Sequence, residues 1–284
     1  MQPALLSRRH ALAGGVAALG AAGLGTPRVA VAVTKPVLTA QTTEGPYYCD
    51  GMPLRADITE GLPGIALDIR FTVLGLDGKP FIGAAVDVWL CDASGVYSGF
   101  ARQGDDKSTS TVGKTFLRGT LLVEPHAEAE GEVVFRSIYP GWYEGRTTHI
   151  HFKVRSGTRA VLTSQFFLPD ALSEYLYTQL PTYRRTALRN VLNSTDGIAL
   201  LAGKTVIGTV REEADRYLAS LTLVVDPQAN PTVHRPGPGS GPPPGVTAGA
   251  GRGGPPPGFG GVPGLKALEG GARVQALVPG SRLR

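Results

Sequence analysis

Residues 140–154 read PGWYEGRTTHIHFKV and hold two of the chain's five histidines, His149 and His151, one residue apart. In an extended strand alternate side chains share a face, so both imidazoles project together while Ile150 points away. Two imidazoles at that spacing can hold one metal ion. Alone, the pair is a weak signal that reads more often as an ordinary part of a sheet, because histidine is a residue of intermediate burial. Tyr143 ends the segment YPGWY, where a Pro-Gly turn would deliver its phenol beside the strand, and Tyr97 lies upstream in DASGVYSG. Read singly, each tyrosine is a packed aromatic with a solvated hydroxyl. Together with the histidines they make a donor set of two imidazoles and two phenols. A free phenol ionises only near about pH 10, so holding two phenolates near neutrality calls for a strongly Lewis-acidic ion. Ferric iron, Fe(3+), suits hard phenolate and imidazole donors, whereas zinc favours histidine, cysteine and carboxylate.

The elements that must carry these residues are short alternating strands. IALDIRFTVLGLDG sets Ile65, Leu67, Ile69, Phe71 and Val73 against mostly polar neighbours and ends in a Leu-Asp-Gly turn. AAVDVWLCDASG, TFLRGTLLVEP, GEVVFRSIYPG, THIHFKVRSG, RAVLTSQFFLP, KTVIGTV and YLASLTLVVD continue the series, punctuated by Gly, Pro or Asp. Strands of this length and spacing predict an all-β protein, an antiparallel β-sandwich with long loops. DALSEYLYTQL departs from the pattern: Leu172, Leu176 and Leu180 recur at helical spacing and predict one short helix.

Both ends differ from this middle. Residues 1–32 open with Ser7-Arg8-Arg9 before a weakly apolar Ala/Gly/Leu run and close on AVA at 30–32. This predicts an export signal of the twin-arginine type, no stable membrane span once it is removed, and a mature chain at the periplasm, envelope or exterior. Residues 227–284, rich in Pro and Gly, bury too little apolar surface to offset their ordering entropy and are expected to be a disordered tail. Residues 33–226 are then the folded domain.

The charge follows the same division. The formal net charge of +5 resolves into +3 in the first 32 residues and +5 in the tail, leaving the middle near −3. A phosphate-gripping surface is not expected there, and nucleic acid is not an expected partner. Cys49 and Cys91, the two cysteines, are compatible with a disulfide outside the cytoplasm and equally with two separate thiols.

Taken in order, the motifs GVYSG, PGWYEGRTTHIHF and SQFF resemble the signature segments of the intradiol ring-cleavage dioxygenases, non-haem ferric enzymes that open catechols between their two hydroxyls. TEGPYY at 43–48 resembles the segment preceding the catalytic sandwich in exported members, and the likeness spans about residues 41–225. It implies Tyr97, Tyr143, His149 and His151 as iron ligands, with Tyr143 the ligand that departs when substrate chelates. It matches Arg146 to the family's arginine before the first histidine and Gln165 to a glutamine of the active-site shell. A small catecholic aromatic and O2 are the implied partners, with a cis,cis-muconate-type product, and a homodimer is compatible with the resemblance. His126 and His234 find no partners in it. Two other readings remain, an exported β-sandwich binding module without catalysis and a metal-binding envelope protein without turnover. The complete Tyr, Tyr, His, His set separates the first of these from an enzyme.

Overall fold

The structure, a computed structural model, describes residues 36–125, 130–231 and 270–277. The export segment at 1–32, His126, His234 and most of the tail after 227 lie outside the described residues. No helix among the described residues is long and apolar enough to cross a membrane.

Among the described residues eight strands form two four-stranded sheets. Strands β1 (Ala66–Leu74), β4 (Glu132–Ile138), β7 (Thr209–Glu212) and β8 (Tyr217–Val224) make one, in the order β4-β1-β8-β7. Strands β2 (Ala85–Trp89), β3 (Arg118–Leu122), β5 (His149–Ser156) and β6 (Arg159–Phe167) make the other, in the order β3-β2-β5-β6. The alternation that predicted β1 is the alternation of its burial: Leu67, Ile69, Phe71 and Val73 are fully buried and their neighbours are half-exposed. They meet Val86, Val88, Ile150, Phe152, Val154 and Phe166 of the other sheet in one core, which is the sandwich expected of two sheets with one apolar face each.

The predicted sandwich is therefore present, with one departure from antiparallel order. β1 and β8 pair in parallel, Leu67 opposite Tyr217 and Leu74 opposite Val224. Two strands so far apart in sequence need no tight turn, so hydrophobic alternation cannot fix their relative direction. Helix α1 (Asp170–Gln179) is the predicted one, and Leu172, Leu176 and Leu180 pack on the core. KTVIGTV, read as a strand, is split: residues Gly203–Val206 form a 3-10 turn and β7 begins only at Thr209. Val206 is buried there with Phe167 and Ile198, and the Thr205 hydroxyl accepts from Ala40 N at 2.9 Å, so tertiary contacts override the alternation. Helix α2 (Gly197–Ala202), begun by Asp196, was not expected. Nor was helix α3 (Gly270–Leu277), which lies inside the tail read as disordered. Its Arg273 pairs with Glu174 of α1 at 2.7 Å. This short stretch lacks proline, which a composition averaged over the whole tail conceals. Cys49 and Cys91 are free thiols, the latter buried with its sulfur 3.5 Å from Gly141 O.

The second sheet is buried on both faces. Cross-strand partners share a face, so the register places Arg118, Trp89, His151 and Gln165 in one row across β3, β2, β5 and β6. Thr120, Asp87, Lys153 and Thr163 form the next row on that face. A strap of chain without strand or helix, residues 39–48, turning at 46–47, covers it. Thr42 N donates to Thr163 O (2.9 Å), Glu44 pairs with Lys153, and the Tyr48 hydroxyl donates to Asp87 Oδ2 (2.9 Å).

Candidate metal centre and active site

His149 and His151 stand at the start of β5 on the strap-covered face, and both are buried. His149 Nδ1 lies 2.7 Å from Thr147 O, which can only accept, so Nδ1 carries the proton and Nε2 presents a lone pair. That Nε2 is 3.0 Å from His151 Nε2 and 3.2 Å from the Tyr143 hydroxyl. Trp89, next to His151 in the register, stacks on its ring at 4.9 Å with an interplanar angle of 11°.

Tyr97 arrives from a loop rather than a strand. After β2 the chain turns at Asp92, whose Oδ1 accepts from Ser94 N and Val96 N. Gly95, at φ +84°, passes so close to Trp142 that a Cβ there would lie 2.2 Å from Trp142 O. Only glycine permits that approach, and the approach brings Tyr97 beside the turn carrying Tyr143. The two phenol rings are 5.8 Å apart, and Tyr97 is 6.1 Å from the His151 ring. Tyr47 of the strap stacks on Tyr97 at 4.3 Å. Gly45 lies over His151, where a Cβ would come 3.0 Å from Cε1.

Burial pushes the Tyr97 phenol well above its ordinary pKa, with a further push from the neighbouring Tyr143. Burial also raises Tyr143, partly opposed by the Arg146 guanidinium. The phenols influence each other's ionisation, yet the Tyr97 hydroxyl meets no hydrogen-bond partner by geometry. Burial lowers both histidines, aided by Arg146 at His149 and by His149 at His151. Neutral imidazoles are the form that ligates metal.

Arg146 is buried behind the histidines. Its Nε donates to Asp196 Oδ2 (2.8 Å) and its Nη2 to Gln165 Oε1 (2.5 Å). Gln165 Nε2 donates in turn to Thr43 O (3.1 Å). Asp196 is fully buried and also accepts from Thr147 N (3.0 Å), Ile198 N and Ala199 N. One carboxylate thus caps α2, fixes the turn before β5 and orients Arg146.

The donor set passes a test of fit for a hard cation. The Nε2 atoms of two buried imidazoles face one another at 3.0 Å, one phenol is buried with its hydroxyl unsatisfied, and a second phenol touches the same imidazole nitrogen. A buried polar atom without a partner is costly, and a bound ion would give the Tyr97 hydroxyl its partner while sharing the other three donors. Among the described residues no cluster of three or more His, Cys, Asp or Glu could hold a metal, so the capacity depends on the phenols.

A family model described as Dioxygenase matches residues 43–180. An intradiol ring-cleavage dioxygenase from Tetranychus urticae superposes with a TM-score of 0.62 at 28% identity, covering 70% of this chain and 98% of that one. Over the matched residues the chain belongs to the intradiol ring-cleavage dioxygenase family. Among its curated relatives, catechol 1,2-dioxygenase 2 of Acinetobacter lwoffii is 34% identical over 45% of this chain and 50% of its own length. Catechol 1,2-dioxygenase of Acinetobacter baylyi is 28% identical over 70% of this chain and 67% of its own. The chain spans about half the length of the first of the curated relatives it matches.

Within this intradiol-family fold all six residues singled out from sequence come together: Tyr97, Tyr143, His149 and His151 converge, and Arg146 and Gln165 are bonded to each other behind them. Sequence reasoning missed three neighbours. Asp196 shows in STDGIAL as a helix cap, but its bond to Arg146 crosses 50 residues. Tyr47 lies inside the TEGPYY motif without a role that spacing could assign. Gln103, in a polar loop, carries no signal at all.

Proposed function

We propose that this chain is a non-haem ferric dioxygenase that opens a catecholic ring between its two hydroxyl-bearing carbons. One molecule of O2 is consumed, both its atoms are incorporated, and a cis,cis-muconate-type dicarboxylate results. The observation carrying this reading is the convergence of His149 Nε2, His151 Nε2 and the Tyr143 hydroxyl with the partnerless Tyr97 hydroxyl. When bound, ferric iron would supply Lewis acidity, chelating the catecholate and drawing electron density from the ring so that O2 can attack it.

The chain's own residues divide the remaining work. Tyr143 is the departing donor. Released as phenolate into a buried site that favours its neutral form, it takes one catechol proton on its hydroxyl oxygen. Tyr97, held between Tyr47 and the loop, stays in place. Arg146, fixed by Asp196 and Gln165, faces negative charge developing on the ring and offsets it without having to reorganise. Trp89 and Tyr47 wall the site with aromatic faces and limit water. Export by the twin-arginine route, supported by Ser7-Arg8-Arg9 and the run that follows, suits this chemistry, because a route for folded proteins lets iron be inserted first.

The test is reconstitution of the purified protein with a ferric salt. Two tyrosinate donors give a red protein through phenolate-to-iron charge transfer, and catechol added under air is then consumed with one O2 per ring. A protein that stays colourless and iron-free overturns the reading.

A further inference from the structure

Tyr97 is the one candidate donor that neither lies on a strand nor has a hydrogen bond at its hydroxyl, so its direction comes from ring packing against Tyr47 and from its backbone. One side chain holds both polar groups of that backbone, and a second shares its carbonyl. Gln103, buried at 4% exposure, accepts from Tyr97 N at 2.8 Å through Oε1 and donates to Tyr97 O at 2.6 Å through Nε2. An amide bonded to both the N–H and the C=O of one residue reproduces what a paired strand would provide. The amide's orientation is fixed by the network, since only its oxygen can face N–H and only its nitrogen can face C=O. Its remaining proton lies between Phe100 O and Thr111 Oγ1, both at 3.1 Å. The Thr111 hydroxyl is itself 2.6 Å from Tyr97 O. On the other side Arg118 donates to Ser98 O (2.5 Å) and to Tyr47 O (3.0 Å), tying the residue after Tyr97 to the ring stacked on it. The grip of Gln103 on Tyr97 is local and fully satisfied, while Arg118 of β3 fastens the next residue to the sheet.

We propose that Gln103 is a positioning residue for the metal centre: by holding both backbone groups of Tyr97 it aims the phenol at His149 and His151, and so sets the affinity for the ion and the geometry of the phenolate bond. This rests on the reading of Tyr97 as a ferric ligand and goes beyond it. In Gln103→Glu the bond from Tyr97 N survives, but the donor to Tyr97 O is replaced by a carboxylate oxygen. In Gln103→Met both bonds are lost at similar volume.

The experiment titrates apoprotein with ferric iron, reading affinity and the visible phenolate band, for wild type, Gln103→Glu, Gln103→Met and each change in a Tyr97→Phe background. Losing a buried hydrogen bond at the donor's backbone is expected to weaken iron binding about tenfold or more and to shift the band. In the Tyr97→Phe background the same changes at Gln103 should leave iron affinity unaltered, because the aim of the phenol no longer matters. Equal losses in both backgrounds, or wild-type affinity and band in the Gln103 variants, overturn the inference. Should Gln103→Met not fold, Gln103→Glu carries the comparison. A wild type that never colours with iron defeats the ligand reading instead, and the two failures are thereby distinct.

Discussion

The Nε2 atoms of His149 and His151 lie 3.0 Å apart, on rings that burial keeps neutral. His149 spends its proton on Thr147 O, so its Nε2 is a bare lone pair aimed at its neighbour. A shared cation with the two phenols beside it would give both Nε2 atoms one partner. Replacing His149 with Ala removes a donor directly. Iron affinity should fall by more than the roughly 10–100-fold that losing an outer partner costs. Metal analysis after gel filtration decides it, and iron retained at full occupancy by the variant would remove His149 from the ligand set.

Tyr143 differs from Tyr97 in having its hydroxyl 3.2 Å from His149 Nε2 and at the mouth of a turn rather than inside a loop knot. In Tyr143→Phe three donors remain, so iron should stay bound with a weaker and shifted visible band. Catechol then has no departing phenolate to take its proton, and its association and turnover should slow by about a hundredfold or more. Stopped-flow mixing with catechol measures this. Unchanged turnover would mean that the departing donor lies elsewhere.

Asp196 is the buried counter-charge of Arg146, the anchor of Thr147 N and the cap of α2. Asp196→Ala leaves a guanidinium buried without its carboxylate, which typically costs about 3–5 kcal/mol and, for a domain of this size, lowers the melting temperature by roughly 10 °C. Asp196→Asn keeps the shape and part of the hydrogen bonding, and should fold more stably while still losing turnover. Thermal melts of both variants beside oxygen uptake separate the two effects. A variant Asp196→Ala that melts with wild type would show that Arg146 finds another partner.

What could be read from the sequence follows the range of the interactions involved. His149 and His151 were legible because strand periodicity is local, and the Leu172, Leu176, Leu180 helix for the same reason. Tyr97 was legible only through its motif, since nothing local says that a loop tyrosine will stand 6.1 Å from His151. The parallel pairing of β1 with β8 and the grip of Asp196 on Arg146 join residues about 150 and 50 positions apart. Sequence leaves such partners unspecified. KTVIGTV shows the converse, a strand-like alternation overruled where Val206 found a pocket beside Phe167.

The strap over the metal centre yields the last prediction. Glu44 and Lys153 form an ion pair sealed from solvent, and Lys153 Nζ also sits 3.2 Å from the centre of the Tyr48 ring. The pair joins the strap to β5 two residues from His151, and the strap brings Gly45 onto His151 and Tyr47 onto Tyr97. In Lys153→Met the apolar stem is kept and the cation that neutralises Glu44 is lost, an imbalance that usually costs about 3–5 kcal/mol. The strap should then exchange its amide hydrogens faster over residues 39–48 and release iron sooner than wild type. Adding Glu44→Gln removes the stranded charge, so the double variant should recover most of the stability. Recovery of stability together with slow iron release would show that the strap is held by its hydrogen bonds and aromatic contacts alone. A single variant as stable as wild type would show that this ion pair does not fasten the strap.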